Sequence, residues 1–162
     1  MSEPVGMRGI AIRYKGDLVS SANFSAWEII ANGPLCSVFR LTYEPVLVGG
    51  KSVVETKTFT IDVGDHFYRC DVELESKLTI DTLTVGLTLH ENKGMTSCSN
   101  DGWIIYWEPI DDSEMGMGVW VNGHTMLGCE KTENAGKDLN HIWLYAALKN
   151  NIEGAAEKDS LI

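Results

Sequence analysis

No run of apolar residues in this 162-residue chain approaches the roughly 18 that a bilayer-spanning helix requires, so no membrane span is expected. The opening stretch from Met1 to Arg8 lacks the charged region and apolar core of a secretory signal. As written the chain is expected to be cytoplasmic; it would be periplasmic or secreted if its true N-terminus lies upstream. Positive charge is scarce. Thirteen Lys and Arg stand against 23 Asp and Glu, a net charge of -10. That field repels a phosphate backbone and sets nucleic acid aside as a partner. It also weighs mildly against highly sulfated or polyuronate substrates, unless the few cations cluster.

Metal and nucleophile patterns are missing too. Cys36, Cys70, Cys98 and Cys129 lie far apart, with no zinc-clip spacing, so four reduced, structural cysteines are expected. Two disulfides in an oxidising compartment are the alternative. His66, His90, His124 and His141 form neither His-x-His nor His-Glu-x-x-His. There is no Gly-x-Ser-x-Gly elbow, phosphate loop or dinucleotide fingerprint, so no metal or other cofactor is expected.

What the chain does have is strand patterning. Gly9 to Tyr14, Ser25 to Ile30, Leu35 to Tyr43, Lys51 to Asp62, His66 to Ser76 and Thr82 to His90 read as strands. Asn32-Gly33-Pro34, Pro45 and Gly49-Gly50 separate several of them. His66 to Ser76 alternates Tyr68, Cys70, Val72 and Leu74 against Phe67, Arg69, Asp71, Glu73 and Glu75. Trp103 to Trp107, Met117 to Val121 and His141 to Leu148 add three apolar segments. The last carries helix-favouring Ala and Leu, but its alternation of His141, Trp143 and Tyr145 favours a strand. Strands in series with almost no helix predict an all-β, antiparallel β-sandwich over residues 1–149. Residues 150–162 are expected to be a polar tail, frayed or helical.

The punctuated strands resemble a bacterial family, the domain of unknown function 4861 (DUF4861). The resemblance rests on Gly9-Ile-Ala-Ile-Arg-Tyr14, the Ala31-Asn-Gly-Pro34 break, Phe39-Arg-Leu-Thr-Tyr43, the Gly49-to-Lys57 hairpin and Gly64 to Arg69. Thr84 to His90, Gly102-Trp103 with Tyr106-Trp-Glu-Pro109, and Asn140-His-Ile-Trp-Leu144 continue it in order over most of the chain. The family sits among polysaccharide-degrading proteins. The resemblance therefore implies a setting in carbohydrate processing, and a large sandwich of the mutarotase or polysaccharide-lyase β-domain kind. It also implies that this chain corresponds to the latter part of a longer protein, lacking an N-terminal portion.

Two groups of residues are candidates for chemistry. His66 and Tyr68 could serve as base or acid on a sugar ring, while Arg69 pairs with a uronate carboxylate; together they would suit β-elimination. Against this, Tyr68 reads as core, Arg69 could pair with Glu55 or Glu73, and the two residues point to opposite faces. Trp103 and Trp107 share a strand face opposite Tyr106, and could stack on sugar rings with Glu108 taking hydroxyls. Against this, large aromatics are usual in sandwich interiors. Three functions stay open: a carbohydrate-processing protein that engages oligosaccharide or polysaccharide, uronic-acid-containing chains among them; a non-catalytic structural fragment of a longer enzyme; and a uronate lyase or dehydratase. A homodimer, or the missing half, would cover exposed sheet edges.

Overall fold

The computed structural model describes residues 9–90, 92–133, 140–148 and 157–161, with the backbone alone for 110 and 157–161. The expectations for the leader before Gly9, for Glu91 in a turn and for residues 150–156 fall outside the described residues. Among the described residues the structure is all-β and antiparallel, and no helix is long and apolar enough to cross a membrane. The strands are β1 (Gly9–Tyr14), β2 (Asp17–Val19), β3 (Phe24–Asn32), β4 (Cys36–Tyr43), β5 (Val46–Val48), β6 (Lys51–Asp62) and β7 (Arg69–Ser76). They continue with β8 (Thr82–Thr88), β9 (Met95–Ser99), β10 (Trp103–Ile110), β11 (Ser113–Trp120), β12 (Thr125–Thr132), β13 (His141–Ala147) and β14 (Glu157–Leu161). The chain divides into two compact units, one from Met1–Ser20 with Ile80–Lys149 and one from Ser21–Thr79 with Asn150–Ile162.

The first unit layers two sheets. A five-stranded sheet runs in the order β12-β13-β8-β1-β2, and a three-stranded sheet in the order β11-β10-β9 packs on it through β10 and β11. Alternation builds the interior. Leu83, Val85 and Leu87 of β8 lie beside Ala146, Leu144 and Ile142 of β13, and Ile104 and Tyr106 of β10 are wholly buried. Burying each of these Leu, Ile and Val side chains contributes about 1.5–3 kcal/mol. On the other face of the five-stranded sheet, Trp143 lies across Gly86, where a Cβ would come within 2.3 Å of the indole. Only glycine leaves room for that ring.

The second unit holds a six-stranded sheet, ordered β14-β7-β6-β4-β3, with β5 also paired to β6. β6 buries Val53, Glu55, Lys57 and Phe59 on one face and leaves Val54, Thr56, Thr58 and Thr60 half-buried on the other. Two charges thus face inward. They are tolerated because Lys57 pairs with Glu55 at 3.3 Å and lies over the Tyr43 ring at 4.4 Å. Register sets Ile29, Phe39, Phe59 and Cys70 in one row, with the Phe39 and Phe59 rings stacked at 4.9 Å. At the end of the sheet, β3 is exposed along its full length.

Three expectations need correction. Cys98 and Cys129 form a disulfide that joins β9 to β12, while Cys36 and Cys70 remain thiols, as expected. Part of the tail is strand: Glu157–Leu161 pairs antiparallel with β7, because that edge offers unmet backbone hydrogen bonds. Finally, β7 begins at Arg69 rather than His66, and Tyr68 is exposed rather than core.

Candidate functional site

The three-stranded sheet of the first unit presents an aromatic face to solvent. Strict alternation along β10 turns Ile104, Tyr106 and Glu108 inward and Trp103, Ile105 and Trp107 outward. Trp107 and Ile105 are 46% and 40% exposed, and Trp103 is half-buried. On β11, Trp120 stands opposite Trp103 and is 47% exposed; on β9, the exposed Met95 stands opposite Trp107. Trp107 lies four residue steps along the strand from Trp103, so the face is about 13 Å long.

Local chemistry fixes these rings. Gly116 faces Trp107 across the ladder, and a Cβ there would come within 2.2 Å of the indole, so the ring can lie flat only over glycine. Gly118, opposite Ile105, keeps the middle of the face shallow. Trp107 Nε1 donates to Glu114 Oε2 at 2.9 Å, and Trp120 Nε1 donates to the Asp101 carbonyl at 3.3 Å. The Asp101 turn is itself tied down. Ser99 Oγ donates to Asp101 Oδ2 at 2.9 Å, the Asp101 amide donates back to Ser99 Oγ at 3.1 Å, and Gly102 takes the positive φ of 94°. The Cys98–Cys129 disulfide anchors β9, and a loop of that size contributes about 3–4 kcal/mol.

Glu108 is not part of this face. It is 1% exposed on the inward side, where Tyr106 Oη donates to its Oε2 at 2.5 Å. Its Oε1 has no hydrogen-bond partner among the described residues. Burial, then the Glu108 carboxylate, pushes the Tyr106 hydroxyl up to about 12.

His66, Tyr68 and Arg69 belong to the other unit. His66 lies exposed in the bend before β7. Tyr68 faces the Phe59 ring at 5.8 Å. Arg69 donates from Nε and Nη2 to Asp71 Oδ1, at 3.1 and 2.8 Å, so its fork is engaged by a neighbour two residues on in the same strand. The sequence reading offered Glu55 or Glu73 for that role.

A second cluster lies on the five-stranded sheet. Tyr145 Oη donates to Glu130 Oε2 at 3.0 Å, the Arg13 guanidinium sits 4.5 Å over the Tyr145 ring, and His141 stacks on Trp143 at 4.9 Å. Burial and Glu130 push the Tyr145 hydroxyl up to about 12, against the smaller opposing pull of Arg13. His124 Nδ1 lies 3.2 Å from the Ala147 carbonyl. No group of three or more His, Cys, Asp or Glu among the described residues could hold a metal ion. Sequence reasoning missed Trp120, Met95 and the role of Gly116. The signal available for the first and last was the alternating glycine of Gly116-Met-Gly-Val-Trp120, which marks close approach across a sheet.

The chain belongs to the family described as "Domain of unknown function (DUF4861)", which matches residues 3–153. It is 32% identical over 148 residues to "Uncharacterized protein P7" of Formosa agariphila. That alignment takes in 90% of this chain and 37% of the relative, so the chain spans little more than a third of the relative's length. No solved structure matches it significantly.

Proposed function

We propose that this DUF4861 member binds oligosaccharide on the outward face formed by Trp103, Trp107 and Trp120, without catalysing a reaction there. The observation that carries this reading is that three indole rings share one sheet face, with Trp107 laid over Gly116 and the Trp107 and Trp120 N–H groups each bonded to a neighbour. Indole faces pack on the apolar C–H faces of sugar rings, and pre-set rings lose little freedom on binding. Glu108, the carboxylate that the sequence offered for this face, points inward and is buried, so it does not reach a sugar lying on the rings. The test is a titration of the purified chain with a panel of oligosaccharides, read by tryptophan fluorescence and calorimetry. Binding that is lost in Trp107→Ala and Trp120→Ala, and kept in Trp27→Ala of the other unit, supports the reading. Binding that survives both substitutions overturns it.

A second reading, as a structural part of a longer protein, is favoured by β3. This edge strand leaves Trp27, Ile29 and Ile30 at 66%, 59% and 48% exposure beside an open line of backbone hydrogen-bonding groups. The elimination reading draws less support, because the Arg69 guanidinium is held by Asp71.

A further inference from the structure

The charge around the aromatic face narrows what can lie on it. From Met95 to Gly123, the segment that builds all three strands and their turns, there is no Lys, Arg or His. The same segment carries Asp101, Glu108, Asp111, Asp112 and Glu114. Glu108 is buried beneath the sheet, and the other four are exposed. Two of those four touch the tryptophan frame directly. Glu114 accepts the Trp107 N–H, and the Asp101 carboxylate closes the turn whose carbonyl accepts from Trp120. Both carboxylates are bonded to neutral donors in these contacts, so the bonds fix their position without cancelling their charge. In sequence the nearest basic residues are Lys93 before the segment and His124 directly after it, followed by Lys131, which pairs with Glu133 at 2.7 Å.

A sugar stacked on Trp107 and Trp120 would therefore meet fixed negative charge at its edge, within one screening length at moderate salt. Recognition of uronate or sulfate calls for a guanidinium fork or ammonium beside the stacking ring, and the segment contains neither. Carboxylates do suit sugar hydroxyls, whose O–H groups donate to them in charge-assisted bonds. Resting on the oligosaccharide reading above, we infer that the Trp103–Trp107–Trp120 face selects uncharged sugar chains and rejects uronate and sulfated ones, with Asp101 and Glu114 setting that preference.

The experiment titrates the full chain with cellohexaose, mannohexaose, hexagalacturonate and hexamannuronate, at about 10 mM and about 1 M NaCl, where the screening length falls from about 30 Å to about 3 Å. The expected result is a neutral hexamer that binds equally at both salts. The uronates are expected to bind at least about tenfold more weakly at low salt and to recover part of that difference at high salt. The paired substitution Asp101→Asn with Glu114→Gln keeps the hydrogen-bond acceptors and is expected to raise uronate affinity several-fold at low salt. Uronate binding at low salt that equals or exceeds neutral binding overturns the inference, as does a preference untouched by the paired substitution. If no hexamer of either kind binds, the oligosaccharide reading itself falls. Uronate binding that equals neutral binding at low salt and is lost in Trp107→Ala would overturn the charge preference and leave that reading standing.

Discussion

β10 and β3 both set tryptophan in solvent, but in opposite circumstances. β10 is the central strand of its sheet, with its backbone paired on both sides; its Trp107 ring lies over Gly116 and its inward Ile104, Tyr106 and Glu108 are fully buried. β3 is an edge, interrupted by register shifts between Phe24 and Ala26 and between Ile29 and Ala31, and its residues are exposed on both faces. An aromatic ring on a central, anchored strand makes a rigid surface. On an edge strand it accompanies an unpaired hydrogen-bonding line, and the combination suits strand addition better than ligand stacking.

The comparison can be broken most severely at the disulfide. Cys98→Ser removes the covalent tie on β9 and is expected to lower stability by about 3–4 kcal/mol, measured by chemical denaturation. Reduction of the unaltered chain should match it; an unchanged denaturation midpoint would mean that β9 is held without the bond.

The inward side of β10 comes next. Tyr106→Phe deletes the donor to Glu108 and leaves both oxygens of a buried carboxylate unmet, at a cost of about 1–3 kcal/mol. The same residue sets an alkaline limit. The folded value of Tyr106 is raised from 10.0 to about 12, so its contribution is fully present below pH 10 and is lost as the pH rises towards 12. Tyr145 is raised to about 12 as well, and adds to the loss in the same window. The stability of the unaltered chain should fall across that window, and more shallowly in Tyr106→Phe. A flat profile would mean that neither hydroxyl is held in its protonated form by folding.

Gly116→Ala sharpens the contrast on the outward side. The added methyl displaces the Trp107 ring and is expected to cost about 1–3 kcal/mol in stability, together with most of the oligosaccharide binding. Gly118→Ala meets only ordinary contacts, the nearest at 3.6 Å, and should be much milder; equal losses would remove Trp107 from the argument. The smallest effect belongs to β3. Ile29→Lys is expected to change stability by no more than about 0.5 kcal/mol, while lowering any self-association seen by light scattering. A large loss of stability would mean that Ile29 is covered in solution.

Much of β10 was legible before the structure. The alternation placed Trp103 and Trp107 together and Tyr106 opposite, as found, because side-chain direction along a strand is a local property with period two. Which of those faces meets water was not legible, since both are apolar and aromatic. The segment Lys51 to Asp62 was read to its observed ends, from its β-branched residues and the glycines before it. The short or polar strands β2, β5, β9 and β12 carry no comparable signal, and β9 and β12 are held by ladder pairing and by a bond between cysteines whose spacing has no pattern. Glu157–Leu161, charged and short, becomes a strand because β7 offers it an edge.

By itself the sequence determined the antiparallel all-β class, the family, the acidic balance and the two-faced character of the principal strands. Each follows from composition, order or local alternation. The tertiary structure alone decided that Trp120 joins Trp103 and Trp107, that Glu108 turns inward beneath them, that Arg69 is held by Asp71, and that the chain gathers into two units. These depend on which distant strands become neighbours and in what register. A one-residue shift in pairing exchanges the faces of a strand, so the assembled sheet has to be seen before its surface can be assigned.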